Sequence, residues 1–104
     1  MVLYVLKWNI HPDKVKAYTE WAQGAIQRTL GSGGVTEFRG YRPASGASQV
    51  VVTYEFTDVI AWAAWYYHDD SQQVFAELRT MANNVTAELW GPSPVVPQPI
   101  RPGG

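Results

Sequence analysis

Hydrophobic and polar residues alternate along four segments of this chain, which is the pattern of β-strands. Residues 2–10 predict the first strand, with Val2, Tyr4, Leu6, Trp8 and Ile10 on one side and Leu3, Val5, Lys7 and Asn9 on the other. Residues 35–42 and 49–57 predict two further strands, joined as a hairpin by the turn at 43–48. Residues 84–90 predict a fourth strand, although a helix through 87–89 is also compatible with this segment.

Two other regions follow the three-and-four spacing of amphipathic helices. In residues 12–30, proline stands in the first turn and the predicted buried face consists of Val15, Tyr18, Ala22, Ala25, Ile26 and Thr29. The glycine-rich segment 31–34 ends this helix. Asp58 predicts the N-cap of a second helix that runs to His68, and residues 69–71 predict a kink or a new cap. The helical segment that follows places Val74, Phe75, Leu78, Met81 and Ala82 on one face.

The order of these elements is β-α-β-β-α-β, which is the ferredoxin-like split motif. Right-handed crossovers place both helical regions on one face of a four-stranded antiparallel sheet, so the predicted fold class is α+β. We expect one domain over residues 1–91. Five prolines mark residues 92–104 as an extended or mobile tail.

The third predicted strand is apolar on both faces, which is unusual in a small protein. Residues 50, 52, 54 and 56 are Val, Val, Tyr and Phe, and residues 51, 53 and 55 are Val, Thr and Glu. One layer of helices can cover only one face of the sheet. The other face would remain uncovered in a single chain. We therefore expect a homodimer in which two sheets pack together as a barrel.

The composition of the chain argues against several classes of function. The 104-residue chain has a net charge of −1, so no basic surface is expected for nucleic acid. It has no cysteine, and its two histidines lack a metal-binding spacing with carboxylates, so no metal site is predicted. No apolar segment approaches the ~20 residues of a membrane span, and residues 1–10 read as a strand rather than a signal peptide. We therefore expect a cytoplasmic protein with no membrane partner.

Four features make the chain resemble the dimeric α/β-barrel superfamily, and within it the antibiotic biosynthesis monooxygenase-like group. The first strand ends in the polar Asn9, and residues 34–42 lead into the second strand. The third strand runs into Asp58 and a helix with Trp62 and Trp65, and the last strand ends with Glu-Leu-Trp at 88–90. The resemblance covers about residues 2–91. The superfamily includes cofactor-free oxygenases, haem-degrading oxygenases, isomerases and stress-induced proteins, so the fold does not name the chemistry.

The cofactor-free oxygenase branch implies a helix–sheet pocket that binds a planar aromatic ligand and needs no cofactor. In that interpretation Asn9 holds a ligand oxygen, Trp65 stacks on the ring and His68 acts as the base. Further pocket residues are then expected at Trp62, Tyr66, Phe75 and Arg79.

Two alternatives remain open at this point. Aromatic residues at helical spacing are more often part of a core than of an active site, which is typical of a non-catalytic binding or stress-response module. In that case Asn9 only orders a strand end and His68 only lies at a helix end. The haem-degrading branch is the third candidate, since Asn9 and Trp65 match two of its positions. Arg79, however, falls near the position of its iron-binding histidine, and an arginine is always protonated and cannot ligate iron.

Overall fold

The computed structural model describes residues 1–103 of the chain. The elements are β1 (Val2–Ile10), a 3-10 turn (Pro12–Lys14), α1 (Val15–Gly31), β2 (Glu37–Tyr41), β3 (Val50–Phe56), α2 (Val59–Tyr66), α3 (Asp69–Arg79) and β4 (Ala82–Trp90). Residues 91–103 form neither helix nor strand and are exposed. Gly104, the last residue of the predicted tail, lies outside the described residues.

The four strands form one antiparallel sheet in the order β2-β3-β1-β4. The predicted ferredoxin-like fold is confirmed. Residues 84–90 belong to a strand rather than a helix, and this strand begins two residues earlier than predicted, at Ala82. Among the described residues, no helix has the length and apolar character needed to cross a membrane.

The pairing of β1 with β4 is interrupted by a bulge. Lys7 pairs with Thr86, but Asn9 pairs with Asn83, so two residue steps along β1 match three along β4. Asn84 lies within this bulge and has a φ of 53°. Asparagine tolerates this left-handed conformation better than most residues, which explains its presence at the bulge.

Local sequence signals set the helix boundaries. The Oδ1 atom of Asp58 accepts a hydrogen bond of 2.8 Å from the N–H of Ala61, as its predicted capping role requires. The predicted kink is a break between two helices, and it lies at residues 67–68 rather than at 69–71: α2 ends at Tyr66, and α3 begins at Asp69 with His68 as its N-cap. Val15 is half exposed rather than buried, because it lies in the first turn of α1, ahead of the part of the helix that packs on the core.

The hydrophobic core lies between the three helices and one face of the sheet. Its sheet side consists of Val2, Tyr4, Leu6, Trp8, Val52, Tyr54 and Phe56. These are alternate positions of β1 and β3, as the pattern of the sequence predicts. The helices contribute Ala25 and Thr29 from α1, Trp65 from α2, and Val74, Phe75 and Leu78 from α3.

Candidate functional site

A small cavity lies between α1, α3 and the sheet, with a volume of about 40 Å3. It is lined by Leu6, Trp8, Tyr18, Trp21, Ala22, Ala25, Ile26, Val52, Tyr54, Val74, Phe75 and Leu78. None of these lining residues is charged and none is a histidine. Such a lining favours an apolar, uncharged occupant, because a charge would lose its hydration without gaining a partner.

One buried polar atom at this cavity has no partner. Trp8 is only 7% exposed, and its indole N–H donates to no acceptor among the described residues. The hydroxyl of Tyr18 is a neighbour: burial raises the pKa of Tyr18, and the nearby Trp8 N–H lowers it in part. No hydrogen bond of acceptable geometry joins the two groups, so the Trp8 donor has no partner. Its nitrogen has essentially no accessible surface, so an acceptor other than Tyr18 can reach it only if the surrounding side chains move.

The hydroxyl of Tyr54, on the sheet side of the cavity, already has a hydrogen-bond partner. The hydroxyl of Tyr54 lies 3.0 Å from Oγ1 of Thr29, which itself donates to the main-chain oxygen of Ile26 at 2.7 Å. Since the single Thr29 proton is used in this way, Tyr54 must be the donor of the pair. Burial raises the pKa of Tyr54 to about 12, so this phenol is neutral at physiological pH and is not a base.

The two helices that flank the cavity are joined by one carboxylate. Oε1 of Glu77 in α3 accepts hydrogen bonds of 2.8 Å from Nε1 of Trp21 and 2.8 Å from Arg28, both in α1. Gln73 donates to the other oxygen at 3.0 Å. Hydrogen bonds from Arg28, Trp21 and Gln73 lower the pKa of Glu77 to about 2. We call these four residues the Glu77 clasp.

Trp65 lies in the core beside the cavity, not in its lining. It is 1% exposed, and its indole N–H donates to the main-chain oxygen of Thr29 at 2.8 Å. Its ring centroid lies 4.6 Å from that of Tyr54 and 5.0 Å from that of Phe56. The structure therefore surrounds Trp65 with protein side chains.

Trp62 and Tyr66 form a second aromatic cluster along α2. Their rings are stacked with centroids 5.0 Å apart, and Tyr4 packs against both. The indole N–H of Trp62 is buried without a partner, but Trp62 is not part of the cavity lining. Phe75 contacts Tyr66 and also lines the cavity, and it is the one predicted pocket residue that does so.

The remaining predicted site residues lie at the surface or at strand ends. Oδ1 of Asn9 accepts a hydrogen bond of 2.8 Å from the N–H of Gln49, whose side chain accepts from the N–H of Ile10 at 2.7 Å. Arg79 is exposed at the end of α3, close enough to Tyr4 to lower the pKa of that phenol against the larger rise caused by burial.

His68 is exposed and serves as the N-cap of α3. Its Nδ1 accepts a hydrogen bond of 3.2 Å from the N–H of Asp70. The structure therefore does not gather Asn9, Trp65 and His68 around one pocket. Their catalytic roles stay predictions.

Four aromatic residues of the cavity were not expected from the sequence as site residues: Trp8, Tyr18, Trp21 and Tyr54. The alternation of β1 does place Trp8 on the helix-covered side of the sheet. Nothing in the sequence shows that its indole N–H lacks a partner. Within residues 1–103, no group of three or more His, Cys, Asp or Glu side chains is arranged to hold a metal ion.

The face of the sheet away from the helices is open, and we call it the open face. Leu3, Val5, Val51 and Thr53 form its centre, and the aromatic rings of Tyr41 and Trp90 lie at its two edges. Charged side chains surround this centre at Lys7, Glu37, Arg39, Glu55 and Glu88. The surface contains a depression of about 420 Å3. An apolar centre with a polar rim is the usual anatomy of a protein–protein interface.

Comparison with known proteins shows the fold of this chain. No family model matches the sequence, and no curated protein matches it.

Among solved structures, a DABB family protein with a ferredoxin-like fold from Mesorhizobium loti is 17% identical, with a TM-score of 0.77 over 88% of this chain and 96% of that one. An antibiotic biosynthesis monooxygenase is 12% identical, with a TM-score of 0.73 over 90% and 100% of the two chains. A dimeric ferredoxin-like protein of unknown function from Thermobifida fusca is 12% identical, with a TM-score of 0.72 over 86% and 88%. The chain thus has the ferredoxin-like fold shared by antibiotic biosynthesis monooxygenase-like and DABB proteins, as the resemblance in its sequence predicted.

Proposed function

We propose that this protein is a homodimer that binds a small, planar, uncharged aromatic ligand in the cavity between α1, α3 and the sheet. The observation that carries the proposal is the chemistry of the lining. Aliphatic and aromatic side chains form it throughout, and its polar groups include the buried Trp8 indole N–H, which has no partner, and the Tyr18 hydroxyl. Ligand sites of this kind combine apolar walls with a few polar groups that orient the ligand.

The size of the cavity implies that the helices move when a ligand binds. Its volume of about 40 Å3 compares with about 150 Å3 for an engineered cavity that accepts benzene. An aromatic ligand therefore requires α1 and α3 to separate. The Glu77 clasp joins these two helices through partly exposed side chains, which can break and reform more readily than a buried contact.

The open face supports the dimer. Val5 is already buried in the single chain, but Leu3, Val51 and Thr53 are only partly buried. Left uncovered, these three residues and the exposed edge aromatics would remain in contact with water. A second copy related by two-fold symmetry would cover the same residues on both subunits. The solved structures of this fold include a protein described as dimeric, which is consistent with this assembly.

Binding is better supported than oxidation of the ligand. Cofactor-free oxidation of a phenol needs a base within reach of its proton, and the cavity lining contains no carboxylate or histidine. Asn9 and His68 lie outside the lining and are engaged with Gln49 and Asp70. A non-catalytic binding module, the second interpretation of the sequence, is thus the form of the proposal that the geometry favours.

A cavity-filling variant tests the proposed function. We expect indane, a small uncharged bicyclic aromatic, to bind the wild-type protein in isothermal titration calorimetry. The buried cavity residue Ala25 changed to methionine should weaken binding at least tenfold, because the longer side chain occupies the ligand volume. Ala64→Met, at an exposed position of α2 outside the lining, is the matched control. Equal binding by both variants would show that the ligand does not use this cavity.

Oxygen consumption provides the test for catalysis. Wild-type protein incubated in air with a dihydroxynaphthalene should consume no more oxygen than the buffer does, if binding is the function. Enzyme-dependent oxygen uptake would favour the cofactor-free oxygenase interpretation instead.

A further inference from the structure

We infer that the indole N–H of Trp8 is the polar anchor of the cavity and selects ligands that carry an uncharged hydrogen-bond acceptor, such as a ketone oxygen, on their ring. This inference rests on the proposed function, because it assigns the ligand chemistry of the same cavity.

The first observation is the state of the donor. A buried N–H without an acceptor is costly, and native proteins rarely leave one unsatisfied. Trp8 is more than nine-tenths buried and lines the cavity. The nitrogen itself has essentially no accessible surface, so the separation of α1 and α3 that ligand binding requires must also uncover it. A ligand oxygen beside Trp8 would then supply the missing acceptor, and an oxygen-bearing ligand would gain a hydrogen bond that a hydrocarbon of the same shape would not.

The second observation is that two other donors of the lining are already engaged, which leaves Trp8 and the Tyr18 hydroxyl. The indole N–H of Trp21 is held by Glu77, and the hydroxyl proton of Tyr54 is held by Thr29. Trp8 and its neighbour Tyr18 therefore define the polar end of the cavity, where a ligand oxygen would lie.

The third observation concerns charge. None of the lining residues is a cation, and Arg28 is already paired with Glu77 at 2.8 Å. A carboxylate in the cavity would be desolvated with only neutral donors beside it, which strongly disfavours its binding. The site should therefore reject anions and accept a neutral carbonyl.

Three ligands of nearly the same shape separate these effects: indane, 1-indanone and indane-1-carboxylate at neutral pH. For the wild-type protein we expect 1-indanone to bind about five- to tenfold more tightly than indane, which is the worth of one neutral hydrogen bond. The carboxylate should bind at least tenfold more weakly than 1-indanone.

The Trp8→Phe variant should lose the preference for the ketone while it still binds indane, because phenylalanine keeps an aromatic wall and removes only the N–H and part of the ring. Trp62→Phe is the informative comparison, since Trp62 also has a buried N–H without a partner but lies outside the lining. The preference should persist in that variant. Its loss in Trp62→Phe, and not in Trp8→Phe, would place the ligand in the α2 cluster and overturn the assignment.

The outcomes distinguish the two proposals. Equal affinity of wild-type protein for indane and 1-indanone would overturn the role of Trp8 and leave the cavity as the binding site. Binding of the carboxylate as tight as that of the ketone would also overturn it. If neither neutral ligand binds, the proposed function fails and the inference fails with it. Circular dichroism melting curves establish that each variant is folded before it is titrated.

Discussion

Trp65 of α2 donates its indole N–H to the main-chain oxygen of Thr29 in α1, with a nitrogen–oxygen distance of 2.8 Å. Both residues are at most 1% exposed, and Thr29 also accepts the hydroxyl proton of Tyr54 in β3. Two hydrogen bonds thus connect α2, α1 and the sheet at one buried point. This connection fixes the position of α1 over the sheet and so helps to shape the cavity.

The Trp65→Phe variant should be less stable than the wild-type protein by about 2–3 kcal/mol. The smaller ring leaves a void among Tyr54, Phe56 and Phe75, and the hydrogen bond to Thr29 is lost. Urea unfolding followed by circular dichroism, at one fixed protein concentration, measures the difference. Tyr67→Phe, at a position that is 72% exposed, is the control and should change stability by less than about 0.5 kcal/mol. If Trp65→Phe lost as little stability as the control variant, the core position of Trp65 would be contradicted.

The Glu77→Gln variant should lose about 1 kcal/mol of stability at pH 7. The substitution removes the ion pair with Arg28 but keeps an oxygen that can accept from Trp21. The side chains of Arg28 and Glu77 are 39% and 29% exposed, so solvent screens the pair and the loss is modest. Glu20→Gln, at an exposed position of α1, controls for the change in net charge.

The difference in stability between the wild-type protein and Glu77→Gln should depend on pH in one direction only. The hydrogen bonds to Glu77 lower its pKa in the folded protein to about 2, below the ordinary value of about 4.3. Its stabilising contribution is therefore fully present above about pH 5 and is lost as the pH falls towards 2. The stability curves of wild type and Glu77→Gln should converge over that range. A difference that stays constant down to pH 2 would exclude the clasp as the cause.

Two variants of His68 separate its observed role from its predicted one. As the N-cap of α3, His68 should be replaceable by asparagine with little loss, whereas His68→Ala should cost about 1 kcal/mol. If the wild-type protein did consume oxygen, His68 as the predicted catalytic base should not be replaceable by either residue without loss of that uptake. Thermal melts and oxygen-electrode measurements on the same two preparations decide between the roles. Equal stability of the two variants would contradict the capping role.

The fold could be predicted from the sequence because each element carries its own local signal. The alternation in β1 and β3 identifies the side of the sheet that faces the helices, and Asp58 identifies the start of α2. The cavity could not be predicted in the same way. Its position depends on how closely α1 approaches α3, and that distance is set by contacts such as Trp21 with Glu77 between residues 56 positions apart.

The roles of individual polar residues could not be predicted either, because they also depend on contacts between distant parts of the chain. Asn9 and His68 look like site residues because their side chains can donate, accept or titrate. The structure shows both engaged with main-chain N–H groups at the end of β1 and the start of α3. Trp8 looks like an ordinary core residue, and only the arrangement of its neighbours shows that its indole N–H has no acceptor.

Sedimentation equilibrium at micromolar concentration tests most directly whether a second copy of the chain covers the open face. The wild-type protein should sediment with twice the 11.6 kDa mass of one chain. Val51→Glu should sediment as a folded single chain, because the new carboxylate lies opposite Lys7 within the subunit but would be buried between subunits. Ile60→Glu, at a position of α2 that is 80% exposed, should remain dimeric. A wild-type protein that sediments as one folded 11.6 kDa chain would contradict the account.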